Sequence, residues 1–66
     1  MKIQLNGQAR EIADAQTVSM LLETAGYAER RVAVEVNREI VPRSRHALHA
    51  LMDGDQVEII HAIGGG

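Results

Sequence analysis

The chain has no cysteine, which excludes a disulfide scaffold, a thiolate zinc site and a cysteine nucleophile together. Any sulfur chemistry here has to use sulfur brought from elsewhere. Aromatic residues are nearly missing as well: one tyrosine, no phenylalanine and no tryptophan. The core is therefore aliphatic, and the stacking of bases on rings that single-strand nucleic-acid binders use has almost nothing to build on. Charge of one sign is also lacking, with 7 Lys and Arg against 9 Asp and Glu for a formal net charge of −2. That balance gives no general attraction to phosphate backbones. No apolar run approaches the ~20 residues of a membrane span. Met1 opens directly onto a strand-like pattern, so the expectation is a cytoplasmic protein with no signal or transit segment.

What is present is enough for one small domain. Hydrophobic residues make up 45% of the 66 and charged residues 24%, the balance of a folded chain. A chain of this size buries only about 60% of its unfolded surface and leaves no room for a deep cleft.

The patterning is legible in pieces. In "MKIQLNGQAREIA", Met1, Ile3 and Leu5 share one face at period two, and Asn6-Gly7 then supplies the two positive-φ positions of a tight hairpin. Strands are predicted at about 1–6 and 8–13. Val18, Leu21, Leu22 and Ala25 follow a helical period, with Thr17 as N-cap and Gly26 as the residue past the end, which predicts a helix over 18–25. "RVAVEVN" alternates again, with Val32, Val34 and Val36 inward. Asn37-Arg38 reads as a turn and "EIV" as a short strand stopped by Pro42. In "RSRHALHAL", Ser44 is expected to cap one helical turn that buries Leu48 and Leu51. "DGD" at 53–55 is a turn, and "QVEIIHAI" alternates with Val57 and Ile59 on one face and Glu58, Ile60 and Ala62 on the other. One helix and about five strands predict an α+β layer pair, a mixed sheet over one main helix. A folded domain is expected over 1–62, with a flexible glycine tail at 63–66.

Chemistry-bearing residues inside the fold are few. His46 and His49 lie three apart but lack a matching carboxylate or thiolate, so they read as surface histidines and no metal site is expected. Arg30 and Arg31, and Arg43, Ser44 and Arg45, read as solvated faces with surface ion pairs, with contact to an acidic partner surface as the alternative. Glu35, Glu39 and Glu58 sit on exposed strand faces with no pocket around them, and no acid, base and nucleophile constellation is found. The chain is not expected to be an enzyme. Ile60 and Ala62 project where strands normally show polar residues, and with Ala33 and Ile63 they outline a small apolar docking patch.

The sequence closes on "HAIGGG". Glycine is about 7% of ordinary sequence, so three in a row is not background. Without Cβ atoms such a segment passes through a narrow tunnel and lets a partner grip its backbone closely. Ala62 to Gly66 reaches about 16–18 Å when extended. Its carboxylate is an anion and a poor electrophile at neutral pH, so a partner must activate it, usually by adenylation, before a nucleophile can attack.

"VNREIVPR", "DGDQVEII" and the terminal "GGG", in this strand and helix order, resemble the ubiquitin-like β-grasp family, and within it the ThiS family of sulfur carriers of thiamine biosynthesis. The likeness covers essentially the whole chain. It implies that a ThiF-type adenylyltransferase, using ATP and magnesium, activates the carboxylate of Gly66, and that a cysteine desulfurase supplies sulfur as a persulfide. The resulting thiocarboxylate would serve thiazole synthase. Carried over by position, Gly66 bears the reactive carbonyl and Gly65 and Gly64 are recognised in the tail. Ile60, Ala62 and Ile63 match the apolar approach that contacts partners. The chain itself is expected to bind no cofactor. "RHALHA" departs from the family pattern, with His46 near the place where relatives commonly carry an aromatic. Other carriers with a glycine end serve molybdopterin or transfer-RNA thiolation, or act as protein modifiers, and a non-covalent β-grasp interaction module is the alternative of a different class.

Overall fold

The structure, a computed structural model, describes residues 1–28 and 30–61. Four period-two segments become β1 (Lys2–Leu5), β2 (Gln8–Glu11), β3 (Val32–Val36) and β5 (Gln56–His61), with the short β4 (Glu39–Val41) between the last two. The sheet order is β2-β1-β5-β3-β4. β1 and β5 run parallel at its centre, and every other pairing is antiparallel. This is the mixed five-stranded β-grasp sheet that the resemblance implied. The predicted boundary after residue 62 lies outside the described residues.

Both hairpins close as their turn residues dictate. Asn6 and Gly7 have φ of 52° and 83°, and Asn37 and Arg38 have 52° and 71°, the paired positive values of a type I′ turn. β2 ends two residues earlier than expected. Ile12 instead donates its N–H to the Met1 carbonyl at 2.8 Å and accepts the terminal ammonium at 2.7 Å.

The helix α1 (Val18–Thr24) starts at Thr17, whose hydroxyl accepts the Met20 N–H at 3.2 Å. It ends at Thr24, one residue short of the predicted end, with Ala25 as its C-cap. Gly26 (φ 88°) donates to Glu23 and Tyr27 donates to Leu22, the two bonds of a Schellman stop that needs a left-handed residue past the helix. Seven residues are too few for a stable helix alone. Val18, Leu21 and Leu22 hold it by packing into one cluster with Ile3, Leu5, Val34, Val36, Val41, Leu51, Val57 and Ile59. Each such side chain contributes about 1.5–3 kcal/mol when fully buried.

The segment from Pro42 to Met52 departs from expectation. Arg43–Arg45 form a 3-10 turn, but it follows Pro42 and has no side-chain cap, so Ser44 caps nothing. Leu51 is buried as expected, whereas Leu48 is 72% exposed and His46, expected at the surface, is 7% exposed. The reason is a strap across the helix start. Val18 and Ser19 donate their N–H groups to the carbonyls of His49 and His46, at 3.0 and 2.9 Å, and Leu51 donates to Gln16 at 2.8 Å. These bonds satisfy backbone donors that a helix start leaves open. They also turn residue 46 inward and residue 48 outward. The His46 ring then places Nε2 3.0 Å from the Val41 carbonyl, and since a carbonyl only accepts, Nε2 carries the hydrogen. Replacing His46 with Leu removes that donor while keeping apolar volume. A loss of about 1–3 kcal/mol is expected, read as a lower urea midpoint at unchanged slope; an unchanged midpoint would mean the bond contributes nothing net.

Candidate functional site

β5 occupies the middle of the sheet and leads directly to the glycine run. It pairs with β1 at Gln56 and Val57 and with β3 from Val57 to His61. The two turn asparagines clamp it further. Asn6 donates its N–H to the Val57 carbonyl at 2.9 Å, and its Oδ1 accepts the Ile59 N–H at 2.8 Å. It thereby continues the β1 edge one step after that strand has turned away. Asn37 accepts the Gln56 N–H on Oδ1 at 3.0 Å, donates from Nδ2 to Asp55 at 3.0 Å, and donates its backbone N–H to Gln56 at 2.7 Å. Sequence reasoning took both residues as turn formers only. Their second role depends on the hairpin tips reaching β5, which no local pattern encodes.

The far end of β5 is fixed in the same way. His61 pairs with Val32, and its ring meets Tyr27 edge-on, with centroids 5.2 Å apart and planes at 72°. This places the root of the tail between β3 and the end of α1. Ala62, Ile63, Gly64, Gly65 and Gly66, the residues expected to carry the chemistry and the approach to it, lie outside the described residues.

On the face away from the helix, Ile60 stands directly opposite Ala33 in the β3–β5 register and is 45% exposed. The two share a face as the alternation predicted. Ile40, at 62% exposed, joins them from β4, where its cross-strand partner is Glu35. It went unread because a three-residue strand carries too little alternation to assign a face. Glu35 and Glu58 face each other across the same two strands. Like charges placed directly opposite are unfavourable, so this face combines apolar side chains with a pair of opposed carboxylates. With Gln4, Gln56 and Arg38 the two carboxylates line a shallow hollow of about 330 Å³, and Glu35 is half-buried there, not fully exposed.

His46 and His49 do not form a paired surface site: the first is buried under the strap and the second is half-buried. Among the described residues, no three His, Asp or Glu side chains are grouped to hold a metal ion. No helix among them is long and apolar enough to cross a membrane. The arrangement presents a strand end and a face that mixes apolar and acidic side chains.

The ThiS family profile matches residues 3–66. The chain belongs to the ThiS family. The sulfur carrier protein ThiS of Escherichia coli K12 is 41% identical to it over 66 residues, which is 100% of both chains. The thiazole synthase of Paramagnetospirillum magneticum is 48% identical over 66 residues, and the chain spans 20% of that protein's length. Among solved structures, the crystal structure of the thiamine biosynthesis protein (ThiS) from Geobacter metallireducens superposes with a TM-score of 0.87 at 32% identity and covers 100% of both chains. The ThiS profile thus takes in both turn asparagines, Ile60 and all three terminal glycines. In this ThiS family member, the strand before the glycines is paired on both sides and held further by the two turn asparagines.

Proposed function

We propose that the chain is a sulfur carrier of thiamine biosynthesis that works through the α-carboxylate of Gly66. The observation that carries this reading is the end-to-end match with a sulfur carrier protein ThiS, with the family profile running through the glycines to residue 66. The chemistry follows from the functional group. A carboxylate oxygen attacks the α-phosphorus of ATP on a ThiF-type adenylyltransferase, and pyrophosphate leaves with magnesium shielding its charge. The acyl-adenylate now has a good leaving group. A persulfide charged by a cysteine desulfurase attacks the carbonyl carbon and expels AMP, forming an acyl disulfide. A thiol cleaves its S–S bond, which releases the thiocarboxylate and leaves a disulfide on the thiol's side.

Each partner must reach the carbonyl of Gly66, so Gly64 and Gly65 serve access, as backbone without side chains. Ile60 and Ala33, with Ala62 and Ile63, form the apolar approach to the tail, and the central position of β5 keeps its root fixed while partners pull on the end. ATP and magnesium are bound by the activating partner, and the carrier is a co-substrate, not a catalyst. Thiazole synthase is the acceptor, a reading supported by the thiazole synthases whose sequences include a stretch like this one. The cytoplasm, where these partners and ATP meet, is its place of work.

Incubation with the cognate adenylyltransferase, ATP, magnesium, cysteine and cysteine desulfurase is expected to give an intact mass in which one oxygen is replaced by sulfur, located at Gly66 by fragmentation. No such change with the true partners would sink the proposal. Deletion of the gene is expected to leave cells that require thiamine and are rescued by thiazole. A carrier for molybdopterin or transfer-RNA thiolation would not be rescued that way.

A further inference from the structure

On the helix side of the molecule a groove of about 350 Å³ runs between α1 and the 3-10 turn. Its floor is made by Leu22, Tyr27, Val32 and the buried ring of His46, within a lining of mixed polar and apolar character that also includes Ser19 and Ala28. Its rim carries the exposed guanidinium groups of Arg30 and Arg43 and, among the described residues, the carboxylate of Glu23. Neither arginine has an ion-pair partner among the described residues, where the amino terminus with Asp14 makes the only salt bridge. Both arginines have a backbone group in a turn hydrogen bond. The Arg30 N–H donates to the Tyr27 carbonyl at 3.0 Å, and the Arg43 carbonyl accepts from His46 at 3.1 Å. Position also matters: Tyr27 and Val32, two of the floor residues, are the ones that hold His61 at the root of the tail. The groove thus borders His61, the last described residue of β5.

We propose that the groove receives an extended acidic segment of thiazole synthase, with an apolar side chain on the floor and carboxylates against Arg30 and Arg43. The proposal rests on the reading of thiazole synthase as the acceptor. A guanidinium presents a planar fork that matches a carboxylate in two parallel hydrogen bonds. Backbone already held by turns loses less freedom when it docks. A membrane or nucleic-acid occupant fits less well, because the rim includes Glu23 and the net charge of the chain is −2.

The test is association of the full chain with purified cognate thiazole synthase, followed by surface plasmon resonance at two salt concentrations. Reversing both rim charges, Arg30→Glu with Arg43→Glu, is expected to lower the association rate by about tenfold or more and to flatten its salt dependence. Glu23→Lys is expected to raise the rate, and Arg10→Glu, on the opposite sheet edge, to leave it unchanged. Circular dichroism checks that each variant is folded. Since the chain has no cysteine of its own, Ala28→Cys carrying a photo-crosslinker reports the contact directly. Crosslinking to a synthase segment rich in Asp and Glu supports the proposal. Unaltered association of the doubly reversed variant, or crosslinking to a segment without carboxylates, overturns it while the sulfur-carrier reading stands. No association of the wild-type chain overturns the acceptor assignment and this inference together.

Discussion

A chain ending at Gly64 takes up no sulfur under conditions that load the full chain. Removing Gly65 and Gly66 draws the carboxylate back by about 7 Å, two residues of extended chain, so under the proposed mechanism it would no longer reach the ATP held by the activating partner. The substitution Gly65→Val keeps both the length and the carboxylate but adds a β-branched side chain where the proposed mechanism needs close access by a partner. Displacement of reacting atoms by about 1 Å costs on the order of 100-fold in rate, and a loading rate reduced by at least that factor is expected. Neither change touches the hydrophobic cluster, whose members run from Ile3 to Ile59, so the urea midpoint should equal that of the parent chain. This separates lost reach from lost folding. Normal loading of the truncated chain, followed by intact mass, would show that another group accepts the sulfur.

The substitution Leu21→Ala is expected to remove much of the stability of the fold. Leu21 is 0% exposed and sits on the only α-helix of the described residues, facing the sheet. Truncating a buried leucine costs about 2–5 kcal/mol, the spread reflecting how far the surroundings can collapse into the space. A domain of this size has about 3–10 kcal/mol in total. The helix cannot offset the loss, because seven residues do not persist without their contact face. The expected result in urea is a midpoint lowered by a third or more, with substantial unfolding at physiological temperature. The neighbouring Met20, 47% exposed, provides the comparison: Met20→Ala should stay within about 0.5 kcal/mol of the parent. A loss below 1 kcal/mol for Leu21→Ala would mean the helix contributes little to the core.

The two substitutions probe different parts of what the sequence makes legible. Leu21 was readable because its neighbours Val18, Leu22 and Ala25 repeat at the helical period. The glycine run was readable because composition alone sets it apart. Ile60 was readable as an outward apolar residue through its alternation with Val57 and Ile59, and Ala33 likewise within β3. That the two stand opposite each other needed the register of β3 on β5. Ile40 was missed for want of pattern. His46 was missed because the bonds that bury it come from α1 and β4, neither of which is encoded in "RSRHALHAL".

By itself, then, the sequence determined most of the local elements, the two hairpin turns, the inward and outward sets on β1, β3 and β5, the caps of α1 and the kind of chemistry a glycine end permits. These depend on φ preferences and on periodicities of two and 3.6, which act over a few neighbouring residues. The tertiary structure alone decided that β5 lies in the middle of the sheet, that Asn6 and Asn37 clamp it, that Glu35 opposes Glu58, and that the strap puts His46 inside and Leu48 outside. It also gathered Arg30 and Arg43 onto one groove at the root of the tail. Each of these joins groups distant in sequence, and their pairing is fixed by the need to satisfy backbone donors and acceptors and to fill one shared core, a condition that no segment can meet alone.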